Sequence, residues 1–424
     1  MTKRKSANTT FTGQTIFTLL VLGGCMPDRI SYQPPESLPG LADMASGEDI
    51  AAAPLCPDGG QSSVLKETSK ITPYYRAHEV SVSGTTAAMG YYADTAVYIF
   101  DRVGTTWNLT EKITGPADSM FGYSVVLDGD NLYVGARGGG FASIYKRSAG
   151  KWTEAQKLRP TDLSPSNDYG VSLAVDGRTL VVTDHSSGQI KGGAAYVYVE
   201  SAGQWELQQK LTATDGRQND SVGNAVAISG DTIVVGAQIP SPSDTIPGAA
   251  YVFVRDNNKW TQQQKLSAPD VVAGTADAFG GSVGVSGDVA LIGAYWANPN
   301  KSGALYAFKR SGATWSYQKK LMAPGMPANA QFSYPLSVRG RYALVGGTKV
   351  PRDADPSHVG SVSLFSIENL SIVQTLSPSD PSTGGFGQAR GVSLASDQAI
   401  ILGSSPAVAA YGYSFDGSCQ TVIQ

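Results

Sequence analysis

The sequence predicts an all-β fold, a seven-bladed β-propeller of four-stranded antiparallel blades. Three observations carry that expectation. One phrase recurs along the chain as FGYSVVLDGDNLYVGA, YGVSLAVDGRTLVVTD, VGNAVAISGDTIVVGA, FGGSVGVSGDVALIGA and FSYPLSVRGRYALVGG, starting at Phe121, Tyr169, Val222, Phe279 and Phe332. Each copy reads as an alternating strand, a tight Gly turn and a second apolar strand. An aromatic-rich third element follows (ASIYKR, AAYVYV, AAYVFV, ALYAFK). A fourth element is led by Trp152, Trp205, Trp260 or Trp315. Self-similarity at a period of roughly 50 residues, with four strands per unit, is the signature of a radial or stacked repeat.

Two weaker copies complete the count. At the front, HEVSVSGTTAAMG leads to TAVYIF and Trp107. At the back, FGQARGVSLASDQAIILG leads to AYGYSF and CQTVIQ. The sixth unit replaces its Trp-led strand by LSIVQTL, starting at Leu370. Short turns such as Asp128-Gly129, Asp176-Gly177 and Ser229-Gly230 join first and second strands, with Gly supplying the positive φ. A single four-stranded unit cannot bury both its faces, whereas a closed ring can, and closure protects the strand edges. The recurrent Trp and Tyr are therefore expected to pack blade against blade. SVLKETS, with Val64 and Leu65, sits where other units carry their QKL strand. It is expected to complete the last blade beside CQTVIQ.

The pattern resembles the FG-GAP repeat family of seven-bladed propellers, known from integrin α-chain heads and bacterial surface proteins. Phe121-Gly122, Phe279-Gly280 and Phe386-Gly387 carry the first half of the motif. Gly135-Ala136, Gly236-Ala237 and Gly293-Ala294 carry the second half, each without the Pro. The W…QQKL strands look most like the bacterial variant. The resemblance implies the fold; it does not name an activity, because one fold hosts unrelated functions.

The organisation read from the sequence is a signal peptide over 1–24, a flexible tether over 25–60 and the propeller over 61–424. Lys3, Arg4 and Lys5 precede a short apolar run from Ile16 to Leu22. That run is too short to span a bilayer, which needs about 20 apolar residues. Its ending, Leu22-Gly23-Gly24-Cys25, resembles the lipobox of bacterial lipoproteins. That resemblance implies lipidation of Cys25, a cell-envelope location and attachment to the membrane through the N-terminal lipid only. Met26, in place of Asp, favours the outer membrane or cell surface. The tether is rich in Pro and acidic residues and carries no strand pattern. In an oxidising compartment the two remaining cysteines, Cys56 and Cys419, are expected to bridge, since a ring brings its chain ends together.

Charged residues make up 16% of the chain and its net charge is −3. Nucleic acid, which needs a basic stripe, is excluded as a partner. His78, His185 and His358 lie in different repeats with no ligand spacing around them, so no metal is expected. No Walker loop or G-x-S-x-G elbow occurs. Integrin-like FG-GAP repeats carry a calcium loop between first and second strands. Here that connection is a two-residue turn such as Ser286-Gly287, too short to supply the oxygens calcium takes. No cofactor is expected, and no catalytic residue stands out.

Length variation falls in the second-to-third-strand loops, on the face opposite the Gly turns. That face carries Tyr91, Tyr92, Arg137, His185, Tyr295 and Trp296. Irregular loops on a rigid frame are where binding usually sits, and exposed aromatics suit protein or glycan contacts. The functional expectation is a monomeric, lipid-anchored binding or scaffolding module for a protein or glycan. The alternative is a polysaccharide-acting enzyme with carboxylates in the central funnel.

Overall fold

The computed structural model describes residues 65–71, 77–163, 168–185, 192–216, 221–238, 248–270, 277–323, 328–347, 360–379, 391–403 and 409–415. The segments read as signal peptide and tether, Cys25, Cys56, Val64, His358, Phe386-Gly387, Cys419 and the CQTVIQ segment lie outside them. The described residues form seven four-stranded antiparallel sheets. Blades 1 to 6 are sequential meanders over 79–114, 121–158, 169–211, 222–266, 279–321 and 336–376. Blade 7 takes three strands from Val392–Leu394, Gln398–Gly403 and Ala409–Phe415, and its fourth from Leu65–Ile71. The N-terminal strand completes the last blade as expected, but the strand it pairs with is Ala409–Phe415, from Leu65↔Phe415 to Ile71↔Ala410, where the expectation had set it beside CQTVIQ.

The core lies between blades. Seven buried apolar clusters each combine residues of two neighbouring sheets, including the closing pair. Trp107, Trp152, Trp205, Trp260 and Trp315 are all buried, as the packing reading of the repeated Trp requires.

The motif glycines explain how the blades approach. The second-motif glycine of one blade packs on the first-motif glycine of the next. A Cβ at Gly90, Gly135 or Gly236 would lie 2.1 Å from the carbonyl oxygen of Gly122, Gly170 or Gly280. The first-motif glycines adopt φ between +85° and +101° in blades 2 to 5. Two exceptions are instructive. Blade 3 carries Thr183 at the second-motif position, where its hydroxyl donates to the Ser172 carbonyl at 3.2 Å. Blade 6 carries Ser333 at the first-motif position with φ +88°, in the left-handed region that favours Gly.

Repeated polar clasps cross the same interfaces. A fourth-strand Gln meets the backbone of the next blade's Trp through both its amide atoms. Gln156 does so with Trp205 (2.8 and 2.8 Å), Gln209 with Trp260 (2.7 and 2.9 Å) and Gln264 with Trp315 (2.8 and 2.8 Å). Gln374 makes the same pair of bonds, both 2.8 Å, with Leu65 of the closing strand. Leu65 therefore occupies the Trp position in the seventh blade.

A second clasp satisfies the indole. Trp260 and Trp315 donate Nε1–H to Gln208 and Gln263 at 2.9 and 2.8 Å. The corresponding position in blade 2 is Ala155, which is exposed, and the buried Trp205 Nε1 has no partner. A buried unpaired donor is costly. Ala155→Gln is therefore expected to raise stability by about 1 kcal/mol, read as an increase in Tm, whereas Ala155→Leu should not reproduce the gain.

Candidate functional site

Parity within each meander sends the second-to-third loops and the blade-to-blade connections to one face. The two-residue Gly turns emerge on the other. Inner strands line a central channel of about 520 Å³ that reaches the turn face at Gly84, Asp128, Asp176 and Arg339. At the loop face the channel opens through a hollow of about 140 Å³ bordered by Ser172, Ala225, Gly281, Tyr334 and Pro335, with Glu79 its charged lining residue among those described.

Two concentric sets of side chains surround that mouth. The outer set is the first residue after each second strand: Tyr92, Arg137, His185, Gln238 and Tyr295 in blades 1 to 5. The inner set follows the first-motif glycine or its equivalent: His78, Tyr123, Val171, Asn224, Gly281 and Tyr334. Inner-set side chains bridge to the next blade. His78 Nδ1 donates to the Tyr123 carbonyl at 3.0 Å, and Asn224 Nδ2 donates to the Gly281 carbonyl at 3.0 Å.

Over blades 1 to 3 these residues form a continuous chain. The Tyr92 ring meets His78 edge-on at 4.8 Å and Tyr123 at 5.5 Å. His78 and Tyr123 rings lie 4.6 Å apart. The Arg137 guanidinium sits 5.0 Å from the Tyr123 ring centroid and donates to its hydroxyl at 3.0 Å. Arg137 Nε also donates to Asp168 Oδ1 at 2.7 Å. His185 Nδ1 lies 3.1 Å from Asp168 Oδ2.

Burial alone would raise the Asp168 carboxyl. The His185 and Arg137 contacts outweigh it and pull the group down to about 2. Because the folded value lies below the ordinary 3.8, ionised Asp168 stabilises the fold above about pH 4. That contribution is lost as pH falls through about 2. Asp168→Asn should therefore lower Tm at neutral pH, and the gap from the parent protein should close on acidification across that window. A gap that is constant with pH would show that the carboxylate's charge contributes nothing.

Over blades 4 to 6 the described side chains that ring the mouth are aromatic or uncharged polar. Tyr295 stands between Trp296 and Tyr334, its ring 5.3 Å from each. Gln238 donates its amide to the Tyr295 hydroxyl, and Asn224 donates to Gln238 Oε1 at 3.2 Å. The Tyr295 phenol is pushed up to about 12 by burial and by Tyr334. Gly281 leaves the room this ring uses, since a Cβ there would lie 2.4 Å from Tyr295 Cε1.

Five of the six residues singled out from the sequence border this face. The sixth, Tyr91, is the last residue of its strand and points inward. It is 4% exposed, packed edge-on against Tyr98 at 4.7 Å. It holds the position that Ala136 and Ala237 hold in later blades, which is a core position. Tyr123, Asp168, Asn224, Gln238 and Tyr334 do not stand out in the sequence. Their common signal is the repeat frame itself, since four of them occupy fixed offsets from motif glycines. Among the described residues no group of three or more His, Cys, Asp or Glu is placed to hold a metal ion. No described helix is long and apolar enough to cross a membrane.

Residues 152–198, 205–253 and 260–308 match the FG-GAP repeat. The chain is a seven-bladed β-propeller that carries three FG-GAP repeats. Each matched stretch starts at a buried Trp and ends on the third strand of the following blade, so the repeat spans a blade interface. No curated protein matches the chain significantly in sequence.

Proposed function

We propose that this FG-GAP propeller is an exported, lipid-anchored cell-envelope protein that binds a protein or glycan partner through its loop face. One observation carries the reading. A single structural position, repeated around the mouth, holds Tyr92, Arg137, His185, Gln238 and Tyr295. The equivalent position on the opposite face is a Gly at 84, 129, 177, 230, 287 and 340. One face varies in chemistry on a constant frame, which suits recognition; the other offers little to distinguish partners.

The enzyme alternative needs two carboxylates, one of them kept protonated. Burial raises the Asp277 carboxyl, but Asp168, the carboxylate paired with Arg137 at the mouth, is held ionised. That pattern favours the binder. No metal or cofactor enters the proposed interaction, and the protein acts as a monomer.

Attachment through Cys25 gives a fractionation test. Cys25→Ala should move the protein from the membrane to the soluble fraction, and retention in the membrane would refute the anchor. The proposed Cys56–Cys419 bridge is checked by peptide mapping without reduction. Binding itself is tested on an array of glycans and proteins probed with the full-length chain in detergent, with and without chelator. The expected hit is insensitive to chelation.

A further inference from the structure

We propose that the blade 5 and 6 sector of the loop face holds a neutral sugar unit of a glycan, an inference that rests on the loop face being the binding surface. Tyr334, Tyr295 and Trp296 form a row of half-buried rings leading outward from the channel mouth, with neighbours 5.3 Å apart. Aromatic faces suit the C–H face of a pyranose, and the polar tips of Tyr and Trp supply donors at the same place.

Those donors are available. Tyr295 accepts from Gln238, so its own hydroxyl proton is directed elsewhere. The Tyr334 hydroxyl and the Trp296 indole N–H have no hydrogen-bond partner among the described residues. The hollow of about 140 Å³ beside Tyr334 and Pro335 is too small for a folded element, and Glu79, Ser172 and Ser282 are among its polar lining residues.

Charge selects the ligand class. In the stretch from Tyr295 to Gly303 the one cation is the exposed Lys301. Across the mouth, the Arg137 guanidinium is committed to Asp168 and Tyr123. Among the described residues of this sector, nothing offers the paired cations that a phosphate, sulfate or uronate would call for. Aromatic faces, uncharged donors and a shallow hollow together fit a neutral polyhydroxylated ring better than an anionic ligand.

Trp296 makes the test direct. The chain has six Trp, and the other five are buried between blades. Emission that changes on ligand addition, with protection from acrylamide quenching, therefore reports on Trp296. The full-length chain in detergent is titrated with neutral gluco-, galacto-, manno- and N-acetylhexosamine-configured oligosaccharides. At least one series should shift the emission. Tyr334→Ala should weaken that binding on the order of tenfold or more, Tyr295→Phe should weaken it by a smaller factor, and turn-face Arg339→Ala should leave it unchanged. If Tyr334→Ala does not fold, Tyr295→Phe carries the comparison. No shift with any neutral oligosaccharide, or binding that survives both substitutions, overturns the proposal. A protein ligand that shifts Trp296 emission when no sugar does would leave the loop-face reading intact and remove the sugar. Array ligands that never perturb Trp296 or the loop face would remove both.

Discussion

Gly236→Ala should cost this propeller about 3 kcal/mol or more, seen as a large fall in Tm or as failure to fold. The added Cβ would sit 2.1 Å from the Gly280 carbonyl oxygen and 3.1 Å from its carbonyl carbon. Both are backbone atoms of the next blade, so no side-chain rotation relieves the overlap. Relief requires two blades to separate, which opens the apolar interface they share. Gly230→Ala is the matched control. Gly230 has φ +55°, and a Cβ there would meet nothing within 4 Å. That change should cost only the left-handed backbone penalty of roughly 1–2 kcal/mol. Equal costs at the two positions would mean that blade contact is not what fixes the motif glycine. Thr183 shows that the position tolerates a side chain when its surroundings suit it: its hydroxyl has the Ser172 carbonyl to bond. Gly236 has no such compensation after a single substitution.

Trp296→Ala carries the largest expected functional effect. Trp296 packs on Tyr295 by one edge at 5.3 Å and is anchored through its backbone, whose N–H donates to the Asp277 carbonyl at 3.0 Å. Truncation leaves that backbone bond and the buried Trp set untouched, so Tm should change little. An aromatic anchor at the centre of an interface contributes about 2 kcal/mol, so binding of the array ligand should weaken roughly 30-fold. A large fall in Tm instead would make Trp296 a packing residue. Binding lost on chelation would show that a metal takes part.

The propeller was legible because its determinants are local and repeated. Each Trp-led strand, Gly turn and apolar second strand carries its own signal, and seven-fold repetition removes ambiguity. Even the closing strand was legible, from the position of SVLKETS, although the strand it pairs with is Ala409–Phe415. The candidate site was legible only in its outer set. Arg137, His185, Tyr295 and Trp296 stand out as chemically distinctive loop residues. Tyr91 and Tyr92 do not separate by residue type, and only strand alternation decides that Tyr91 is buried. Tyr123, Asp168 and Tyr334 act through neighbours across a blade interface or further along the same blade. Arg137 reaches Asp168 over 31 residues, for example. Such pairings depend on how blades abut, which no local pattern encodes.

Hydrogen exchange on the full-length chain, with and without its array ligand, tests the recognition surface most directly. The ligand is predicted to slow exchange around 92–95, 137–140 and 295–303 and to leave the turns near Gly84, Gly129 and Gly230 unchanged. Protection confined to those turns or to the outer Trp-led strands would contradict the assignment of binding to the loop face.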